Sequence, residues 1–114
     1  MAWRIVRQPN GLLARFSDVV DIFTHYDLTE QEALEVCVEF GGCTRPEARE
    51  KVRRGLEDYA PMREDGSVSD EPSGDPEKLA RWRDCLATIR AIKGAADADW
   101  FADWCSRPQA EVRA

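Results

Sequence analysis

The run Trp3-Arg4-Ile5-Val6-Arg7-Gln8-Pro9-Asn10-Gly11-Leu12-Leu13-Ala14-Arg15-Phe16-Ser17 sets the fold class, because it is the part of the chain that reads as strand. Apolar and charged residues alternate from Trp3 to Arg7 and from Leu13 to Phe16, the period of a strand with one buried face. Gln8-Pro9-Asn10-Gly11 separates the two runs. Pro fixes φ, and Asn and Gly accept the positive φ of a tight reversal, so a two-stranded β-hairpin is expected. Such a hairpin is marginal alone in water. One face, formed by Trp3, Ile5, Leu12 or Leu13, and Phe16, must therefore pack on helices.

Outward from the hairpin, Ser17 is placed to cap a short helical segment carrying Val19, Val20, Ile22 and Phe23, which His25-Tyr26-Asp27 breaks. Thr29 with Glu32 then forms a capping box, predicting a helix from about Glu30 to Phe40 that stops at Gly41-Gly42. Ala33, Leu34, Cys37, Val38 and Phe40 are its core stripe, and Glu32, Glu35 and Glu39 share another face. Thr44 with Glu47 repeats the box, and Pro46 sits where a missing N–H does no harm. Ala48, Val52, Leu56 and Tyr59 recur at helical spacing, so this helix ends near Tyr59.

Residues 61–75 have one base, five acids and almost nothing apolar, the composition of a flexible acidic loop. Asp75-Pro76 is read as the start of the next helix, with the stripe Leu79, Trp82, Cys85, Leu86, Ile89 and Ile92 running down to Gly94. A last helix from about Asp97 carries Trp100, Phe101 and Trp104, expected as core, and residues 108–114 are expected to fray. The predicted fold class is α+β: one domain, 1–114, with a two-stranded hairpin packed on four to five α-helices.

Sixteen basic and twenty-two acidic residues give a net charge of −6, which opposes binding to nucleic acid or anionic lipid. No apolar run reaches the roughly 20 residues that cross a bilayer, and Met1-Ala2-Trp3-Arg4 lacks the apolar core of a signal peptide. A cytoplasmic protein of the host cell, monomer or homodimer, is expected. Cys37, Cys43, Cys85 and Cys105 lack the close pairing of a zinc site and, with His25 the one histidine, read as reduced core thiols. No phosphate-binding glycine loop is present. Neither a catalytic residue, a metal nor a cofactor is therefore assigned.

The distribution of charge is more informative than its sum. Residues 1–60 hold eight bases and eleven acids, 61–75 one and five, and 76–114 seven and six. No Lys or Arg stands between Arg15 and Arg45, where Asp18, Asp21, Asp27, Glu30, Glu32, Glu35 and Glu39 supply seven acids. These seven are the candidate partner-binding residues, because a one-sided field steers association with a basic partner. The bases Arg45, Arg49, Lys51, Arg53 and Arg54 are offset by Glu47, Glu50 and Glu57 at helical spacing.

Trp3-Arg-Ile-Val-Arg-Gln-Pro-Asn-Gly, Ala14-Arg-Phe-Ser, Val20-Asp21, Phe23-Thr24 and Leu28-Thr-x-x-Glu-Ala33 together resemble small uncharacterised phage and prophage accessory proteins over about the first 40 residues. The resemblance implies a hairpin followed by short helices and carries over no catalytic residue. Such proteins include anti-CRISPR inhibitors, some of which present ordered carboxylates to the nucleic-acid-binding surface of a Cas complex. Two expectations follow. One is a non-catalytic inhibitor that covers a basic groove of a host protein or ribonucleoprotein, such as a Cas effector, without touching nucleic acid. The other is a structural or regulatory accessory protein that self-associates through the hairpin edge or the terminal aromatics.

Overall fold

The computed structural model describes residues 3–57 and 79–113. Strands β1 (Trp3–Arg7), β2 (Leu13–Ser17) and β3 (Ile22–Leu28) form an antiparallel meander in the order β1-β2-β3. Helices α1 (Glu30–Glu39), α2 (Arg45–Glu57), α3 (Ala80–Ile92), α4 (Ala95–Trp104) and α5 (Gln109–Val112) follow. The fold is α+β, but the sheet has three strands where a two-stranded hairpin was expected.

The third strand replaces the short helix expected after Ser17. Ser17 does cap, but only a turn: its Oγ accepts from Val19 N at 3.3 Å and its carbonyl from Asp21 N at 2.8 Å. Asp21, at φ 55°, then turns the chain back. From there Ile-Phe-Thr-His-Tyr is β-branched and aromatic, side chains that fit a pleated surface better than a helix. His25-Tyr26-Asp27, read as a helix breaker, is the middle and end of β3.

Helices cover both faces of this sheet. Trp3, Ile5 and Leu13 pack with Ala33, Cys37, Cys43, Ala48 and Val52 beneath α1 and α2. Val6, Ala14, Phe16 and Phe23 pack on the other face with Trp82, Cys85, Ile89, Ala98 and Phe101 of α3 and α4. Phe16, expected beside Trp3 and Ile5, lies on the opposite face because it stands three residues after Leu13 in a period-two strand. Arg4 and Arg15 stay within the sheet by laying their guanidinium groups over Phe16 at 5.4 Å and Trp3 at 4.9 Å. Lys51 of α2 also lies 4.9 Å from the Trp3 ring.

Both capping boxes form. Glu32 N donates to Thr29 Oγ1 and Thr29 N to Glu32 Oε1, at 3.2 and 3.0 Å, and Thr44 and Glu47 repeat the exchange at 3.4 and 3.2 Å. The chain leaves α1 through Gly41 and Gly42; Gly42 takes φ 67°, and the Gly41 Cα lies directly against the Trp3 ring. The α2 helix ends at Glu57, and Tyr59, the 61–75 loop and the Asp75-Pro76 helix start lie outside the described residues. Leu79 is left-handed at φ 40°, so α3 is described from Ala80.

Candidate functional site: the surface around the third strand

The seven acids of the base-free stretch differ in how each is engaged within the chain. Asp18 lies 3.8 Å from Arg4, and Asp21 holds the β2–β3 turn. Glu30 lines an open hollow of about 290 Å³ with Arg49 and Arg53 of α2. Glu32 is held twice, by its capping box and by Arg113 at 2.7 Å. The Thr29 backbone N–H and then Arg113 keep its carboxyl below the ordinary carboxylate range. Glu35 and Glu39 remain: both are exposed, neither has an ion pair among the described residues, and the last turn of α1 has no base to offset them.

Asp27 has a structural role that its charge did not announce. It is left-handed at φ 59°. Its Oδ1 accepts from Gln8 Nε2 at 3.0 Å and its Oδ2 from Trp104 Nε1 at 2.6 Å. Its N–H donates to Gln8 Oε1 at 2.7 Å, and its carbonyl accepts from Arg113 at 2.6 Å. Gln8, fully buried, is thereby satisfied, its Nε2 also reaching Asn10 Oδ1. Gln8–Leu12 is accordingly a five-residue connection in which only Gly11 takes positive φ, rather than a tight Asn-Gly turn. Asn10 docks it on the end of α4, receiving Gln109 Nε2 on its carbonyl and donating from Nδ2 to the Arg107 carbonyl. Within the stretch 108–114 expected to fray, Gln109–Val112 form α5, and Gln109 and Arg113 tie to the β1–β2 connection and to β3.

The third strand is an outer strand of the sheet, paired only with β2, and its pairing is irregular twice. Phe16 pairs with Phe23 and Arg15 with His25, leaving Thr24 extra; Leu13 pairs with Leu28, leaving a second extra residue against Ala14. These bulges set where the side chains point. His25 meets Phe40 at the end of α1, ring centroids 4.8 Å apart, while Tyr26 meets Trp100 and Phe101 of α4 at 5.7 and 5.6 Å. Burial first and Arg15 second push the His25 pKa below its ordinary value, which favours the neutral ring.

Two exposed aromatics therefore flank β3, Phe40 from one helical layer and Trp100 from the other. Both were expected as core, as was Ile92, also exposed. Tyr26 and, at the preceding turn, Val19 and Val20 are exposed as well. Glu35 and Glu39 on α1 and Asp97 on α4 are exposed too. Exposed aromatics and exposed charges are the side chains that a protein partner engages.

The other chemical candidates resolve into structure. All four cysteines are free and buried, and burial raises Cys37 to about 11 and Cys85 and Cys105 to about 12. Among the described residues no three His, Cys, Asp or Glu side chains come together as metal ligands, and no helix is long and apolar enough to cross a membrane. On α2, Arg53 and Arg54 pair with Glu50 and hold its carboxyl down to about 2. No protein-family model matches the chain, and comparisons with curated proteins and with solved structures return no match.

Proposed function

We propose that this chain is a non-catalytic protein-binding inhibitor of the anti-CRISPR type, whose acidic and aromatic surface around β3 covers a basic, nucleic-acid-binding groove of a host complex. The observation that carries the reading is the uncompensated pair Glu35 and Glu39 beside exposed Phe40. Elsewhere on the described surface, acids such as Glu32, Glu50, Asp99 and Asp103 have a base of the same chain in contact. A pair left without one is free to meet the bases of another molecule, and its field steers that encounter.

The test is the double reversal Glu35→Lys with Glu39→Lys, at exposed helix positions where Lys is as good a helix former as Glu. Glu32 is left alone because its reversal would break a cap and an ion pair. Tagged wild-type chain should capture a basic nucleic-acid-binding complex from host lysate and block its binding to DNA or RNA, more strongly at low salt. The double variant should fold normally and lose both effects. If it captures and blocks as wild type does, the acidic surface is only solvated.

Self-association is the second reading, favoured by Trp100, which is 48% exposed on α4. The two bulges in β3 oppose the edge-to-edge version of it, since bulges twist an edge away from pairing. Sedimentation velocity over a range of protein concentrations separates the two: self-association gives a concentration-dependent dimer without any partner.

A further inference from the structure

Of the large apolar side chains exposed among the described residues, Trp100 is the most tightly positioned. Its indole stacks on Trp104 at an interplanar angle of 12°, centroids 6.0 Å apart, and meets Phe101 and Tyr26 edge-to-face at 5.0 and 5.7 Å. Trp104 is itself fixed by its hydrogen bond to Asp27, and the Arg107 guanidinium lies 5.2 Å from its ring. Trp100 is thus held before any partner arrives, which removes much of the ordering cost of using it as an anchor.

The charged residues of its own helix are one-signed. The α4 helix carries Asp97, Asp99 and Asp103 and no Lys or Arg. Asp97 and Asp103 stand three residues before and after Trp100, on its side of the helix. Asp103 is paired with Arg107 and Asp99 with Arg90, whereas Asp97 has no ion pair among the described residues. A flat π-face beside a carboxylate suits a planar, delocalised cation, and a guanidinium can stack on the one while it pairs with the other. The chain makes this arrangement once internally, with Arg107 over Trp104 and paired to Asp103.

We infer that Trp100 is the position at which an arginine side chain of the protein partner stacks, with Asp97 as its counter-charge. The inference rests on the reading above that the partner is basic, and adds which basic side chain is taken and where. A second copy is the weaker occupant: a twofold contact centred on Trp100 would bring the two Asp97 carboxylates toward each other, and like charges at an interface are repulsive.

The test uses hexa-arginine and hexa-lysine peptides as probes, titrated at low ionic strength into the full chain labelled with 15N. Both should bind the acidic surface. Hexa-arginine should bind about two- to fivefold tighter and shift the Trp100 indole N–H signal, the range expected of one exposed cation–π contact. In Trp100→Leu the two peptides should bind equally; Trp100→Phe, which keeps a ring, should retain part of the preference. The phenylalanine variant keeps the test sound if leucine loosens α4. Equal affinities in wild type with the Trp100 signal unmoved would overturn the arginine anchor and leave the basic-partner reading standing. Failure of both peptides to bind would overturn that reading and the anchor with it. A wild-type dimer that Trp100→Leu converts to monomer would show that a second copy covers Trp100, also overturning the inference.

Discussion

Replacing Asp27 with Ala removes the acceptor for two donors from distant parts of the chain, Gln8 Nε2 and Trp104 Nε1. A hydrogen bond to a charged group contributes about 1.5–3 kcal/mol, and the low end applies to the half-buried Asp27, giving about 3 kcal/mol for the pair. Alanine must also take the left-handed backbone of residue 27, at a further cost of about 1–2 kcal/mol. The expected loss is therefore about 4 kcal/mol. At about 4 °C per kcal/mol, the low end for a domain near this size, the melting temperature should fall by about 16 °C. Asp27→Asn separates the two contributions, because Asn tolerates the left-handed region and keeps one acceptor oxygen, while its amide confronts the second donor. It should cost about half as much. Urea denaturation followed by far-UV circular dichroism measures both variants. An alanine variant within about 1 kcal/mol of wild type would refute the view that this carboxylate joins β1, β3 and α4.

Three further outcomes follow from the packing. Gly41→Ala drives a methyl group into the Trp3 ring and to within 2.6 Å of the Cys37 carbonyl, and should cost about 1–3 kcal/mol in thermal melts. Because the Glu32 carboxyl is held below its ordinary value of 4.5, its contribution is complete above that pH and is lost as pH falls through the lower value of the folded state. Glu32→Gln should therefore lower stability near neutrality and flatten the decline of melting temperature below pH 4.5, measured between pH 7 and 3. Cys37, Cys85 and Cys105, raised by burial to about 11, 12 and 12, should resist a thiol reagent at pH 8 in the folded protein and react at once in denaturant; rapid labelling of any of them while folded would contradict their placement.

The parts legible in the sequence are those where a few adjacent residues complete their own hydrogen bonds. Thr29 with Glu32 and Thr44 with Glu47 are self-contained, and both helices start where their boxes stand. The third strand was harder to read because its two bulges break the alternation by which a strand is recognised, so Val19, Val20, Ile22 and Phe23 resemble a helical face as readily as a turn and a strand. Exposure at element ends was misread for a related reason. Phe40 and Ile92 continue the apolar stripes of α1 and α3 but fall at or beyond the last turn, and both are exposed, although Phe40 still meets His25 of the outer strand. Trp100 and Trp104 share a helix, yet only Trp104 is turned toward Asp27. The acidic stretch is legible as composition, but the engagement of its individual carboxylates is not. Which carboxylates are already engaged depends on Arg113 and Trp104, dozens of residues away, and no local pattern reports them.

Helical cover on both faces of so small a sheet has a consequence for how the chain is made. When residues 3–57 have left the ribosome, all three strands and the cover supplied by α1 and α2 are present. The other face, with Val6, Ala14, Phe16 and Phe23, waits for α3 and α4, and Gln8 waits with it, because the Asp27 carboxylate beside it is steadied by Trp104 and Arg113. A nascent chain halted before residue 100 therefore exposes an aromatic sheet face of the kind that chaperones bind and that associates between chains. Closure of this face depends on segments made after the sheet, so cooperative folding should begin only after α4 and Arg113 have cleared the exit tunnel.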